Sequence, residues 1–158
     1  MTSKQRYIKV AKEMVLKGGT VDLREYSIND ISSFPVLKTM ITLDISFSPL
    51  TTIENFRYQP SLRKFIANNT QIENLSGFLS LKNVTSISLL NCPVIRQPNF
   101  LVALLAVCPN VVSVNGKVVS QKAKDKAMFL PENTKLLINK GWQLKLPITD
   151  EEVDELLN

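Results

Sequence analysis

Four stretches of this sequence decide its fold: GGTVDLREYSINDI from Gly18 to Ile31, MITLDISFSPLTTI from Met40 to Ile53, LRKFIANNTQIENL from Leu62 to Leu75, and VTSISLLNCPVIRQ from Val84 to Gln97. They align without gaps, each starting 22 residues after the last. Apolar residues fall at the fourth and sixth places: Val21 and Leu23, Leu43 and Ile45, Phe65 and Ala67, Ile87 and Leu89. The eleventh place repeats as Ile28, Leu50, Ile72 and Val94. Farther on, Ile31, Phe34 and Leu37, then Ile53 and Phe56, then Leu75, Phe78 and Leu81 recur at spacing three. A period-two stretch followed by a period-three stretch reads as a short strand, a turn, and a 3₁₀ or short helical return. One such unit cannot bury its own apolar side, whereas several stacked in register share a continuous core; the strict period therefore predicts a solenoid. Parallel strands are expected near 20–23, 42–45, 64–67 and 86–89, with a fifth near Val112–Val114, and helical returns around 31–37, 53–58 and 75–81.

The columns trace LxxLxLxxNxIxxIxxL, which resembles the leucine-rich repeat of the 22-residue class, shared by the leucine-rich regulators of protein phosphatase one and the spliceosomal leucine-rich A-prime proteins. The resemblance covers residues 18–128 and implies an α/β fold, a right-handed leucine-rich-repeat solenoid with parallel strands on its concave face. The ninth column departs from the family, with Tyr26, Ser48, Thr70 and Cys92 where Asn is usual. Ser and Thr can bond the turning backbone with a hydroxyl and Cys weakly, so a weaker turn ladder is expected, stiffened by Pro49 and Pro93. The run NCPVIRQPNFLVALLAVCPNVVSVNGKVVSQKAKDKA from Asn91 is similar to the family's C-terminal capping motif, with Pro93, Phe100, Pro109, Val111, Val114, Asn115 and Gly116 at the motif positions. Asn115 replaces the usual Asp and Leu101 the usual Arg. A helix from about Asn99 to Val107 is expected to lay Phe100, Leu104 and Leu105 over the last repeat, and Asn115-Gly116 to make a tight turn. At the other end Tyr7, Val10, Ala11, Met14 and Val15 fall on one helical face, ending at Gly18-Gly19. That amphipathic helix is expected to seal the first repeat, a membrane-surface helix being the alternative. The organisation is thus one domain over 1–148: an N-terminal cap helix (1–17), four repeats (18–98), a C-terminal cap (99–128) and an extension (129–148). An acidic helical tail (149–158) follows, with Val153, Leu156 and Leu157 on one side.

Composition narrows the chemistry. The chain has 158 residues, 44% hydrophobic and 21% charged, which suits one globular domain. No apolar run reaches the length of a membrane span, and the lysine-studded start is read as neither signal peptide nor stop-transfer segment. There is no histidine, which removes Ser–His and Cys–His catalysis and His-ligated zinc. Cys92 and Cys108 are too few for a four-cysteine zinc site and read as packed free thiols. Gly116-Lys117 lacks the other residues of a phosphate loop. No catalytic residue, metal site or cofactor is expected. The net charge of +5 is uneven: about +4 over residues 1–19, +1 over 20–115, +5 over 116–148 and −5 over 149–158. A basic balance invites nucleic acid, yet the middle of the chain is nearly neutral.

The outward strand positions offer the better surface. The third, fifth, seventh and eighth places of each repeat are expected to point away from the core. Asp22 and Asp44 share the fifth column of consecutive repeats, where two carboxylates could hold a cation or work as acid and base; a solvated face balanced by Arg24, Arg63 or Lys64 is the plainer reading. Phe47, Ile66 and Leu90 are large apolar residues that the core does not need. Rimmed by Asp44, Lys64, Asn68, Asn69 and Asn91, they have the anatomy of a protein interface. The expected function is a non-catalytic, intracellular module, cytoplasmic or nuclear, that binds a partner protein on its concave face. A ribonucleoprotein subunit touching RNA only through a complex, or a phosphatase-regulating subunit, is the alternative. No membrane partner is expected, and the chain is expected to be monomeric or to self-associate weakly.

Overall fold

In the computed structural model, which describes residues 1–144, each 22-residue unit contributes one short strand to a common sheet. The elements in order are α1 (Ser3–Lys17), β1 (Thr20–Asp22), β2 (Thr42–Asp44), β3 (Lys64–Ile66), β4 (Ser86–Ser88), α2 (Phe100–Val107), β5 (Ser113–Val114), β6 (Lys117–Val118), α3 (Gln121–Met128) and α4 (Glu132–Asn139). Strand order follows the chain; β1 to β5 are parallel, and β6 turns back antiparallel to β5. The sequence period is the register: Val21 stands opposite Leu43, Leu43 opposite Phe65, and Phe65 opposite Ile87. Just past each strand the same bond recurs, from Leu23 N–H to the Asp44 carbonyl (2.8 Å), Ile45 to Ile66 (2.8 Å) and Ala67 to Ser88 (2.9 Å). The result is a mixed α/β structure built on a parallel sheet. The acidic tail expected at 149–158 lies outside the described residues.

The inward columns form the core. Leu23, Ile45, Ala67 and Leu89 are fully buried, as are Ile28, Leu50, Ile72 and Val94. Behind them runs an aromatic chain: Tyr7 to Phe34 (6.3 Å between ring centres), Phe34 to Phe56 (5.7 Å), Phe56 to Phe65 (6.3 Å) and Phe65 to Phe78 (6.4 Å). Phe34, Phe56 and Phe78 are themselves 22 apart. The ninth column is stitched rather than loose. The Ser48 hydroxyl accepts the Ile28 N–H (3.0 Å), the Thr70 hydroxyl donates to the Ala67 carbonyl (3.1 Å), and the Cys92 thiol donates to the same carbonyl (2.9 Å).

The returns differ from expectation. Each opens with one tight bond, Phe34 N–H to Ile31, Phe56 to Ile53 and Phe78 to Leu75, but only the third continues as a 3₁₀ helix, Phe78–Leu81. In the first, Pro35 disfavours the helical region for Phe34. In the second, the turn passes through Asn55 at φ +66° and the chain reaches Pro60 four residues after Phe56. The buried Gln59 carboxamide replaces the missing helical bonds, accepting from the Leu37 N–H (2.8 Å) and donating to the Pro35 carbonyl (2.9 Å).

At the first strand, α1 begins in a reciprocal cap between Thr2 and Gln5 and buries Tyr7 and Ala11. The Tyr7 hydroxyl donates to the Asp30 carbonyl (2.7 Å), and the Asp22 N–H bonds the Met14 sulfur (3.3 Å). At the far side α2 buries Leu104 and Leu105, while Phe100 is half-buried against the core. Asn115 (φ +52°) and Gly116 (φ +80°) form the two-residue turn between β5 and β6, both left-handed as a type I′ hairpin requires. Asn115 does a second thing there. Its side-chain oxygen accepts the Leu89 N–H (2.7 Å), the bond that a following repeat's carbonyl makes at Leu23, Ile45 and Ala67. Asn115→Ala should therefore cost about 1–3 kcal/mol, because it strands a backbone donor beside a fully buried residue. Urea unfolding checks this; an unchanged midpoint would mean that water satisfies Leu89.

The extension adds α4, which folds back onto the third return. The Asn139 carbonyl accepts the Gly77 N–H (3.0 Å) and its side chain accepts the Leu79 N–H (2.9 Å), while Ile138 is fully buried.

Candidate functional site

The strands alternate as their pattern requires, with the middle residue of β1 to β4 buried and its neighbours facing outward. Register places Thr20, Thr42, Lys64 and Ser86 in one outward row and Asp22, Asp44, Ile66 and Ser88 in the next. Ile66, half-buried, therefore stands on β3 between an aspartate and a serine.

The two aspartates do not form an open pair. The Arg24 guanidinium grips Asp22 through two bonds (2.9 and 2.7 Å) and lies 3.7 Å from the Asp44 carboxylate, filling the space between the two acids. The side-chain hydrogen bond from Arg24 is the main force holding the Asp22 carboxyl below the usual carboxylate range. Both acids also serve the backbone: Asp22 accepts the Arg24 N–H (3.2 Å) and Asp44 accepts the Ser46 N–H (2.9 Å), the same two-residue turn in consecutive repeats. The fifth-place Asp was legible as an outward acid but not as a turn former.

The seventh column faces inward more than its spacing suggests. Ser46 is buried, and its hydroxyl accepts the Asn68 N–H (3.0 Å). Asn68 is half-buried, and its side-chain oxygen accepts both the Ser88 hydroxyl (2.6 Å) and the Leu90 N–H (2.9 Å). These groups brace one repeat against the next. Leu90, at the same place in the fourth repeat, is 44% exposed.

The eighth column holds the most informative backbone. Phe47, Asn69 and Asn91 have φ of +63°, +56° and +60°, left-handed in three successive repeats. The ladder imposes this, since the Phe47 N–H bonds the Asn68 carbonyl (2.9 Å) and the Asn69 N–H bonds the Leu90 carbonyl (2.8 Å). Asn adopts this region readily because its short polar side chain can bond the local backbone; here the Asn91 amide also donates to the Asn69 oxygen of the preceding repeat (3.0 Å). A phenylalanine has no such compensation. Phe47 nevertheless stands there, 62% exposed.

The two most exposed of the outward hydrophobes Phe47, Ile66 and Leu90, namely Phe47 and Leu90, open onto separate hollows. Phe47 lines one of about 500 Å³ with Met14, Asp22, Arg24, Glu25 and Tyr26. Leu90 lines another of about 450 Å³ with Phe100, Leu101, Val114, Val118 and Val119, and with Lys117 as its charged group. Lys64 is exposed on β3, and Asn69 stands between Phe47 and Asn91 in its column. Cys92 and Cys108 are buried; burial pushes the Cys108 thiol far above its ordinary value, as suits a packed rather than a nucleophilic sulfur. Among the described residues no group of three or more His, Cys, Asp or Glu could hold a metal ion, and no helix is long and apolar enough to cross a membrane.

No protein-family model matches the chain, and no curated protein does. Among solved structures it is similar to a chain of the Drosophila melanogaster SNF/U2A′ complex, with 22% identity over 75% of this chain and 85% of that chain and a TM-score of 0.47. It is also similar to a chain of the Chaetomium Mex67:Mtr2 subunits, with 17% identity over 57% of this chain and 64% of that chain and a TM-score of 0.46. The 22-residue period, the in-register parallel ladder and the recurrent inward columns give the chain an architecture that resembles a leucine-rich repeat.

Proposed function

We propose that the outward face of the sheet holds a segment of a partner protein, with Asp44, Phe47, Lys64, Ile66, Asn68, Asn69, Leu90 and Asn91 as the contact surface and no chemistry of its own. In this reading residues 1–148 form one right-handed solenoid, the hand that parallel strand crossovers favour, whose concave side is the binding face. Helix α1 and residues 99–128 close its two ends.

Phe47 carries the proposal. Strain of this kind persists where the surroundings over-determine it, and it clusters at sites that use it. The next two repeats put Asn at the same place, so the fold has a relaxed solution available that Phe47 does not take. An aromatic side chain has only two torsions to fix, so covering it costs little conformational entropy for a large contact area, which is the property of an interface anchor.

The test exchanges the ring for the neighbouring repeats' residue. Phe47→Asn should leave the melting temperature equal to or slightly above that of the parent, because backbone strain is relieved and no core contact is lost. Binding to partners purified from the native cell should fall at least about thirtyfold, which corresponds to roughly 2 kcal/mol for loss of an aromatic anchor. Full retention of the partner by Phe47→Asn would move the binding site off this face.

A further inference from the structure

The hollow at the Leu90 end is an apolar surface with one positive group, and the chain leaves the described structure beside it. Leu144, buried, places its carbonyl 3.2 Å from the Asn99 side-chain amide, which donates to it. Asn99 directly precedes Phe100, one wall of the hollow. Fourteen residues follow Leu144, reading KLPITDEEVDELLN, with Leu146, Ile148, Val153, Leu156 and Leu157 among five carboxylates and one lysine. At full extension such a length spans roughly 45 Å, far more than the hollow needs.

We propose that the acidic segment 149–158 seats in this hollow in cis, placing apolar side chains on Leu90, Phe100, Leu101 and Val118 and its carboxylates toward Lys117 and the lysines that open α3. Charge selects this end of the face. The Phe47 hollow presents Asp22 and Glu25, with Asp44 close by, and one guanidinium already bound between the two aspartates, so an acidic segment is repelled there. The Leu90 hollow contains Lys117, followed along the chain by Lys122 and Lys124. This end also carries exposed apolar surface at a sheet edge: Val118 is 86% exposed on the last strand, an edge that folds normally shield. The seating needs no partner protein. Because Leu90 belongs to both surfaces, a partner that reaches it displaces the segment, which makes 149–158 a built-in competitor.

Disulfide trapping in the full-length chain tests this. Val118→Cys is combined in turn with Val153→Cys, Leu156→Cys and Leu157→Cys; Val118 is exposed, and the native thiols Cys92 and Cys108 are buried. As a control for tethering alone, Val36→Cys, on the first return and 44% exposed, is paired with the same three. At least one Val118 pair should close an intramolecular disulfide about tenfold faster than any Val36 pair, as expected of a raised effective concentration. Changing Asp150, Glu151, Glu152, Asp154 and Glu155 to their amides, or making Lys117→Glu, should abolish that advantage. Equal rates at Val118 and Val36 would overturn the proposal in favour of an unseated segment. Disulfides that link two chains only would overturn it in favour of a second copy as the occupant.

Discussion

Phe65→Ala is expected to lower the unfolding free energy by about 3–5 kcal/mol, the range for removing a buried ring. Phe65 is fully buried on β3 and touches Phe56 on one side and Phe78 on the other, so its removal interrupts the aromatic chain at its centre. The next inward residue of the same repeat is Ala67, too small to move into the gap, and the parallel ladder holds the flanking strands at fixed spacing. The site is therefore poorly able to collapse, which places the cost toward the upper part of the range. Equilibrium urea unfolding measures it. Phe65→Leu, which keeps most of the volume, should cost clearly less. A loss below about 1 kcal/mol for the alanine variant would mean that the third repeat repacks.

Gly77→Ala should be nearly as damaging, about 3 kcal/mol or more, from one added methyl group. Gly77 has φ +84°, and a Cβ there would run into the Ile53 carbonyl and lie 2.8 Å from the Glu54 nitrogen. These are backbone atoms of the preceding return and cannot rotate aside. The left-handed conformation alone costs an alanine about 1–2 kcal/mol; the contact adds the rest. Gly77→Asn separates the two causes. Asn tolerates the backbone, as Asn55 does at φ +66° one repeat earlier, but it carries the same Cβ. If the clash dominates, Gly77→Asn should unfold as readily as Gly77→Ala; if strain dominates, Asn should recover most of the loss. Because Gly77 also donates to Asn139, hydrogen exchange in α4 should rise in both variants.

The contrast between Gly77 and Phe47 shows where strain is structural and where it is available for binding. Gly77 is left-handed where Asn55 is one repeat earlier, and a neighbouring carbonyl lies where its Cβ would stand. Phe47 is left-handed because the repeat ladder turns there, and any residue that accepts the conformation fits, so its identity is free to serve the surface.

The 22-residue period, the strand positions, the core columns and the outward row of Asp22, Asp44, Ile66 and Ser88 were determined by the sequence alone. The physical reason is that a stacked repeat turns sequence offset directly into spatial neighbourhood: residues 22 apart are cross-strand partners, so a column in the alignment is a column in the core. The Asn115-Gly116 turn was legible for a local reason, since its chemistry lies in two adjacent residues. What tertiary structure decided are the bonds between side chains and backbones of other units. Gln59 replaces the helical bonds of the first return, Asn115 supplies the acceptor that a further repeat would bring, and Asn139 pins α4 to Gly77 and Leu79 from sixty residues away. Periodicity is silent about these because each occurs once. The same holds at the candidate site: spacing marked Asp22 and Asp44 as neighbouring acids, but only the folded chain brings Arg24 between them, and only its ladder puts Phe47 in the left-handed region with its ring in solvent.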